Sequence, residues 1–234
     1  MILSDVDRIL RLETILASYI TNDPELIKIK NLIRKIANLN YPVLLRGETG
    51  VGKDHLAKAL HGTRCGEFFN INIAAIPETM IESELFGSVV GSYTGAADRN
   101  GILVDAKGGT VFLNEIGNIP INIQAKLHTI LEDMVIRHVG GTKQIPISCR
   151  FIFATNRDIE KMIRDGLFME DLYPRISTIE IRIPPLRNRL GDIPLILQHI
   201  FNGTIPDDFI IPTDVPYNVR SLINDVIRYR VSKL

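Results

Sequence analysis

The sequence predicts an α/β fold: a parallel sheet sandwiched by helices, with a small helical lid at the C-terminal end. Three observations predict it. Strand-type apolar runs alternate with helical patterns up to about Pro185, and helical patterns alone follow. The run Val43-Leu44-Leu45-Arg46 leads through Gly47-Glu48-Thr49-Gly50-Val51-Gly52-Lys53-Asp54 into a helix-spaced segment, the strand–loop–helix context of a phosphate-binding P-loop. Two further buried-type strands end in polar residues at Glu115 and Asn156, and ligands of such sheets bind at the carboxyl ends of the strands. Strands ending in Gly47, Glu115 and Asn156 are therefore expected to converge on one nucleotide.

With 234 residues the chain can bury one large core, or one core and a small satellite. The expected division is an N-terminal helix or linker over residues 1–21, an α/β nucleotide-binding domain over 22–190 and a short helical lid over 191–234. Basic and acidic residues balance at 27 each, so the total charge does not point to a nucleic-acid surface, although a local patch stays open. Cys65 and Cys149 lie too far apart in sequence for a disulfide framework or a metal-ligand cluster, which makes a reducing cytoplasm the expected location. No apolar run approaches the roughly 18 residues of a membrane span. The acidic, mixed N-terminus is not a signal peptide.

Each element has its own signal. Ile9, Leu10, Leu12, Ile15, Leu16 and Tyr19 recur at helical spacing; the favoured reading is a helix packed on the domain, ahead of a connector or an oligomer contact. Asn22-Asp23-Pro24-Glu25 is a helix start, and Ile27, Ile29, Leu32, Ile33 and Ile36 continue that helix. In the P-loop, the glycines let backbone N–H groups turn toward phosphate oxygens, the helix start adds partial positive charge, and Lys53 adds a full one. The residue after the lysine is usually Ser or Thr, whose hydroxyl holds Mg²⁺; here it is Asp54. Residues 68–73 read as a strand and 78–86 as a helix. Gly91-Ser92-Tyr93-Thr94-Gly95-Ala96 brackets one aromatic with glycines; local chemistry favours a surface turn over a loop that presents a side chain.

The strand over residues 108–115 ends in Asn114 and Glu115. In P-loop ATPases this strand ends in Asp-Glu, the Asp helping to hold Mg²⁺ and the Glu activating the attacking water. Residues 121–134 read as a helix, 151–156 as a strand and 163–173 as a helix or irregular helix interrupted at Pro174. A strand over 179–183 stops at Pro184-Pro185, and helices follow over 192–201 and from Tyr217 onward, the last with Leu222, Ile223, Val226 and Ile227.

At this length of matched string, a family resemblance is specific. The chain resembles the AAA+ central domain of the bacterial enhancer-binding proteins, the NtrC-like activators of sigma-54 RNA polymerase. The resemblance covers roughly residues 22–228 and rests on GETGVGKDHLAKALH, IESELFG, GSYTGA, KGGTVFLNEIG, QAKLHTILE, RHVGGTK, FIFATNRD, EDLYPRI, IPPLRNRLGDIP and VPYNVRSL in that order. It implies ATP and Mg²⁺ as cofactors, sigma-54 RNA polymerase as partner and a homo-oligomeric ring, a hexamer by resemblance. It also implies roles. Asp54 shortens the acidic residue the family carries after its P-loop lysine. GSYTGA matches the family loop GAFTGA that touches sigma-54. Asn72 matches the Asn that restrains the catalytic Glu. Thr155 and Asn156 match the first γ-phosphate sensor, Arg220 the lid sensor, and Arg175 the second of two arginines inserted into the neighbouring subunit's site.

Departures accompany the match. Asn114 replaces the metal-holding Asp, Met169 replaces the first arginine finger, and the lid between residues 201 and 216 looks shortened. No sensory domain is read before residue 22 and no helix-turn-helix after Arg228, so DNA contact is expected only through domains absent here. Two functions follow. One is an ATP-driven remodeller of the sigma-54 holoenzyme with weakened hydrolysis. The other is a hydrolysis-impaired nucleotide-binding subunit with a regulatory or scaffold role. A different AAA+ machine acting on DNA or protein is disfavoured by the GSYTGA loop. ATPase activity hinges on Asn114 and Met169, which discriminate the first two readings.

Overall fold

In the computed structural model, which describes residues 4–93 and 95–233, five strands form the central sheet. They are β1 (Val43–Arg46), β2 (Phe68–Asn72), β3 (Thr110–Asn114), β4 (Arg150–Thr155) and β5 (Ile179–Arg182), in the spatial order β2-β3-β4-β1-β5. The sheet is parallel, as the sequence predicts. The register sets Asn72 opposite Asn114 and Leu113 opposite Phe153, so the carboxyl ends of β2, β3 and β4 lie side by side. Buried Val111, Phe112 and Leu113 and the wholly buried β4 explain the unbroken apolar runs in the sequence: a central parallel strand is covered on both faces.

The longer helices are α1 (Asp5–Ser18), α2 (Pro24–Ile36), α3 (Lys53–His61), α4 (Glu78–Phe86), α5 (Ile121–Asp133), α6 (Ile159–Arg164), α7 (Leu172–Ile176), α8 (Asp192–Ile200) and α9 (Val219–Ser232). None among the described residues is long and apolar enough to cross a membrane. The α2 start is capped as its sequence predicts, the Asp23 carboxylate accepting from Leu26 N at 3.0 Å with Pro24 at the first helical position.

The chain divides into two compact units that do not follow chain order. One comprises Leu39–Leu45 and Arg64–Glu180, and holds most of the sheet. Its core packs Leu44, Val111, Leu113, Phe151 and Phe153 against Leu85, Leu127, Leu172 and Ile176. On β3, Phe112 is fully buried and stacks on Phe68 with ring centroids 6.0 Å apart. The other unit comprises Asp5–Asn38, Arg46–Thr63 and Ile181–Leu234, and so contains the P-loop with α1, α2, α3, α8 and α9. Leu186, Ile193, Ile196, Leu197, Phe209, Val215, Leu222 and Val226 form a core there, closed by the T-shaped rings of Phe201, Phe209 and Tyr229. Between α8 and α9 the chain is turns and irregular backbone.

Some local expectations change. Pro174 does not interrupt a helix: α6 ends at Arg164, and Pro174 lies third in the separate α7, where the first turn needs no N–H partner and tolerates proline. On α1, Leu12 and Leu16 are buried, as is Tyr19 just past its end, whereas Ile9 and Leu10 are more than half exposed. On α9, Leu222 and Val226 are buried while Ile223 and Ile227 face outward.

Phe112→Ala removes a fully buried aromatic from the middle of the sheet, and large-to-small changes of this kind cost about 3–5 kcal/mol. The expected result is a urea midpoint lowered by that loss divided by the m-value, with the m-value itself unchanged.

Candidate functional site

The P-loop conformation depends on two glycines. Gly50 has φ 83°, and a Cβ there would lie 2.1 Å from the Tyr217 carbonyl oxygen. Gly52 has φ 102°, and a Cβ there would lie 2.6 Å from the Tyr19 ring. Both need left-handed backbone and a bare α-carbon. Gly52 caps α3, whose first residue, Lys53, is 6% exposed. The Lys53 ammonium donates to the Gly47 carbonyl at 2.8 Å and the Glu48 carbonyl at 3.1 Å. Asp54 is exposed in the first turn of α3.

Tyr19, Asn218 and Arg187, to which the sequence reading gave no role at the P-loop, help to fix this loop. Tyr19 donates its hydroxyl to the Val51 carbonyl at 2.6 Å, and burial pushes its phenol up to about 12, keeping it a donor. Its ring meets His55 edge-on at 5.5 Å, and His55 Nε2 lies 2.7 Å from the Ile15 carbonyl at the end of α1. Asn218 is 1% exposed; its amide donates to Thr49 O at 3.0 Å and to Glu48 at 3.2 Å, and accepts from Leu186 N at 2.6 Å. The Glu48 carboxylate takes two bonds from the Arg187 guanidinium, at 2.7 and 2.6 Å. The Arg187 bonds, assisted by Asn218, hold the Glu48 carboxyl below the usual range. Arg220, exposed at the second position of α9, has its Cβ 3.2 Å from where a Gly50 Cβ would lie. One signal for Asn218 was available: an Asn immediately before a helical run, here at φ 57°.

In the sheet-bearing unit, the strand ends carry the other predicted residues. Asn114 Oδ1 accepts from Glu115 N at 3.0 Å. Glu115 adopts φ 59°, ψ 47°, uncommon for a non-glycine residue, and opens the one-turn 3-10 helix Ile116–Asn118. Asn118 returns to the Glu115 carbonyl at 3.3 Å. Asn72 is exposed, and its Oδ1 accepts from Ala74 N at 3.1 Å rather than engaging Glu115. Thr155 is buried and its hydroxyl oxygen accepts from Arg157 N at 3.0 Å, while Asn156 is exposed. Arg157 in turn donates to Gly117 O at 3.2 Å, tying the end of β4 to the turn after Glu115.

Of the loop Gly91-Ser92-Tyr93-Thr94-Gly95-Ala96, Thr94 lies outside the described residues. Gly91 and Gly95 have φ 83° and 82° with open space where a side chain would go. Tyr93 is 46% exposed; hydrogen bonding to Ser83 and Ser88, with the Arg99 charge nearby, holds its phenol below the ordinary tyrosine value. Arg175, at the end of α7, pairs with Glu132 at 2.9 Å, both side chains about half exposed. Met169 packs on the sheet unit's core, and its N–H donates to Gln124 Oε1 at 2.7 Å.

Comparison with known proteins gives a consistent picture. The sigma-54 interaction domain family matches over residues 19–182. The chain is 42% identical over 187 residues to the DNA-binding transcriptional regulator NtrC of Azospirillum brasilense, covering 78% of this chain and 39% of that protein. It is 48% identical over 167 residues to the Nif-specific regulatory protein of Rhizobium meliloti, covering 70% of this chain and 31% of that protein. The crystal structure of NtrX from Brucella abortus in complex with ATP aligns with a TM-score of 0.81 at 28% identity, covering 91% of this chain and 50% of that one. The chain thus spans two fifths or less of the length of these two curated relatives.

Two tests address the groups that hold the P-loop. Asn218→Ala leaves the buried Leu186 N–H without its amide partner, which costs about 1–3 kcal/mol, and removes the half-buried bond to Thr49 O. Chemical denaturation should show a loss of that order. The Glu48–Arg187 pair is exposed, so its contribution is small and screened by salt. Because the folded Glu48 value is lowered, that contribution is present above the ordinary glutamate range and lost as pH falls through the lowered value. Melting temperatures of the unmutated chain and Glu48→Gln should differ slightly at neutral pH and converge in acid.

Proposed function

Since the chain belongs to the sigma-54 interaction domain family, we propose that it is an ATP-binding AAA+ module that acts on sigma-54 RNA polymerase to activate transcription, with weakened hydrolysis. The observation that carries this reading is the P-loop: left-handed Gly50 and Gly52 bracket a turn that leads into a buried lysine at the start of α3. In the proposal, residues 47–54 bind the phosphates, Thr155 and Asn156 sense the γ-phosphate, and Arg220 reports its state from the lid. Residues 22–190 form the nucleotide-binding domain and 191–234 the lid. Glu115 is the base that takes the proton of the attacking water, and Asn72 regulates it. Arg175 serves a neighbouring subunit's site, which requires a ring, six-membered by family resemblance. The loop from Gly91 to Ala96 contacts sigma-54, Tyr93 offering an exposed aromatic. The setting is cytoplasmic.

Magnesium fits this chain in a limited way. Among the described residues there is no group of three or more His, Cys, Asp or Glu side chains able to cage a metal. Asp54 offers an exposed carboxylate, and Asn114 a neutral oxygen that already accepts from Glu115 N. A hard cation favours anionic oxygen and can take the rest of its shell from phosphate and water. Asp54 and Asn114 would hold the ion more weakly than an aspartate at position 114 would, and the bound ion would neutralise phosphate charge.

A second reading, a hydrolysis-impaired regulatory or scaffold subunit, draws support from Met169. Its side chain packs on the core, where a first arginine finger would have to project. Arginine fingers contribute about 10³–10⁵ in rate where they have been measured.

Thermal shift and phosphate release separate the readings. Saturating ATP should raise the melting temperature, since a ligand at a hundred times its Kd stabilises the native state by about 2.7 kcal/mol. Lys53→Ala should erase the shift; no shift in the unmutated chain refutes nucleotide binding. Slow phosphate release that is accelerated by Asn114→Asp, and further by adding Met169→Arg, supports weakened hydrolysis. Release that stays at background in all three chains selects the scaffold reading.

A further inference from the structure

Gln124 sits in the first turns of α5 and is fully buried, an unusual place for an amide in an amphipathic helix. It makes three hydrogen bonds to backbone. Nε2 donates to the Ile119 carbonyl at 3.0 Å and to the Leu167 carbonyl at 3.1 Å, and Oε1 accepts from Met169 N at 2.7 Å. A buried amide with this many satisfied bonds fixes the segments it joins, because losing it strands each backbone group in a low-dielectric interior.

The two segments differ in how else they are held. Ile119 closes the turn that begins at Glu115: Asn118 N donates to Glu115 O at 2.9 Å and Ile119 N to Ile116 O at 3.1 Å. Gln124's own N–H donates to Pro120 O at 2.9 Å, so this end is rigid without the side chain. The second segment is the irregular stretch between α6 and α7. Leu167 N and Phe168 N both reach back to Met162 O, and Leu172 N reaches Met169 O at 3.2 Å, where α7 begins. Arg175 lies on the last turn of α7, whose Leu172 and Ile176 pack into the core, and its guanidinium meets Glu132 in an exposed pair.

We infer that Gln124 is a positioning residue for Arg175, anchoring the stretch that leads into α7 on the rigid turn after Glu115. The inference rests on the ATPase reading above, in which Arg175 acts on a neighbouring subunit. Gln124 touches neither nucleotide nor reacting atoms. It sets where the arginine-bearing helix starts. A displacement of that start moves the guanidinium relative to the neighbour's phosphate while leaving the chain's own P-loop and base in place.

Subunit mixing tests this. Gln124→Glu keeps the shape and the acceptor for Met169 N–H but loses both donors; Gln124→Leu loses all three bonds. Each is assayed for phosphate release alone and mixed in equal amounts with Glu115→Ala, which lacks the base but carries an intact arginine. Arg175→Ala mixed with Glu115→Ala is the control. Gln124→Glu alone should release phosphate about 10- to 100-fold more slowly, the scale of a misplacement near 1 Å, with ATP affinity unchanged. Mixing with Glu115→Ala should restore activity, as it does for Arg175→Ala, because the partner's arginine reaches an intact base. If the control pair recovers and the Gln124 pair does not, Gln124 serves only its own subunit and the inference falls. Normal release by Gln124→Glu overturns it equally. Absence of release from the unmutated chain, together with failure of the control pair, refutes the ATPase reading and this inference with it. If Gln124→Leu does not fold, Gln124→Glu carries the test, and its melting temperature shows that the fold is kept.

Discussion

The buried Lys53, a residue only 6% exposed, is the constraint on which the P-loop unit depends. Removing such a charge from water costs several kcal/mol unless oxygen atoms replace the lost hydration. Here the oxygens are backbone carbonyls of Gly47 and Glu48, so the loop must bend back over its own lysine. That bend requires left-handed backbone at Gly50 and Gly52. It also leaves neighbouring carbonyls pointing elsewhere, and each finds a partner from a distant segment: Tyr19 for Val51, and Asn218 for Thr49. The loop is therefore held from both ends of the chain. A contact at the end of α1 and one at the start of α9 reach the residues on either side of Gly50.

Two of the ion pairs in the same unit are of different physical kinds. Arg189 and Asp192 are 1% and 2% exposed and meet at 3.0 Å, with Asp192 also accepting from the Thr21 hydroxyl and Asn22 N. Its desolvation cost is offset by those further bonds, and its effect is to fix the approach to α2 against the start of α8. Glu48 and Arg187 are bidentate yet exposed. Such a pair contributes little to stability and yields readily to salt or to a competing charge. The buried pair is thus a fixed joint, and the exposed pair a contact that can exchange partners.

How much of this was legible in the sequence follows from what each signal encodes. The sheet was legible because parallel strands covered on both faces must be apolar throughout, as in residues 110–113 and 151–154. The P-loop was legible because its glycines answer to backbone geometry, which sequence records directly. Side-chain partners were not. Gln124 and Asn218 occupy positions where a polar residue is unremarkable, on a helix face and at a helix start, and their burial depends on segments far away in the chain. The α1 and α9 patterns overstated burial: Ile9, Leu10, Ile223 and Ile227 keep helical spacing, but only part of each stripe has a neighbour to pack against. Pro174 misled for the opposite reason, since a proline marks a boundary without saying on which side of it the helix lies.

Two of the departures that the family resemblance implies, at Asn114 and Met169, share a physical logic. Asn114 keeps the acceptor that receives Glu115 N–H, so it supports the left-handed turn at Glu115 as an aspartate oxygen would, and it gives up only the charge. Met169 keeps the backbone N–H that Gln124 holds, and it exchanges a projecting cation for a side chain packed on the core. In each case the part of the residue that shapes the backbone survives and the part that would stabilise phosphate or metal charge is gone. Stability and shape are set by packing and backbone bonds, whereas rate in phosphoryl transfer is set by charge placed where charge develops. In the reading proposed above, a chain altered in this way retains the geometry of its turns and loses electrostatic stabilisation of the transition state. On that proposal the changes at Asn114 and Met169 bear on rate, while the backbone bonds that both residues keep maintain the shape.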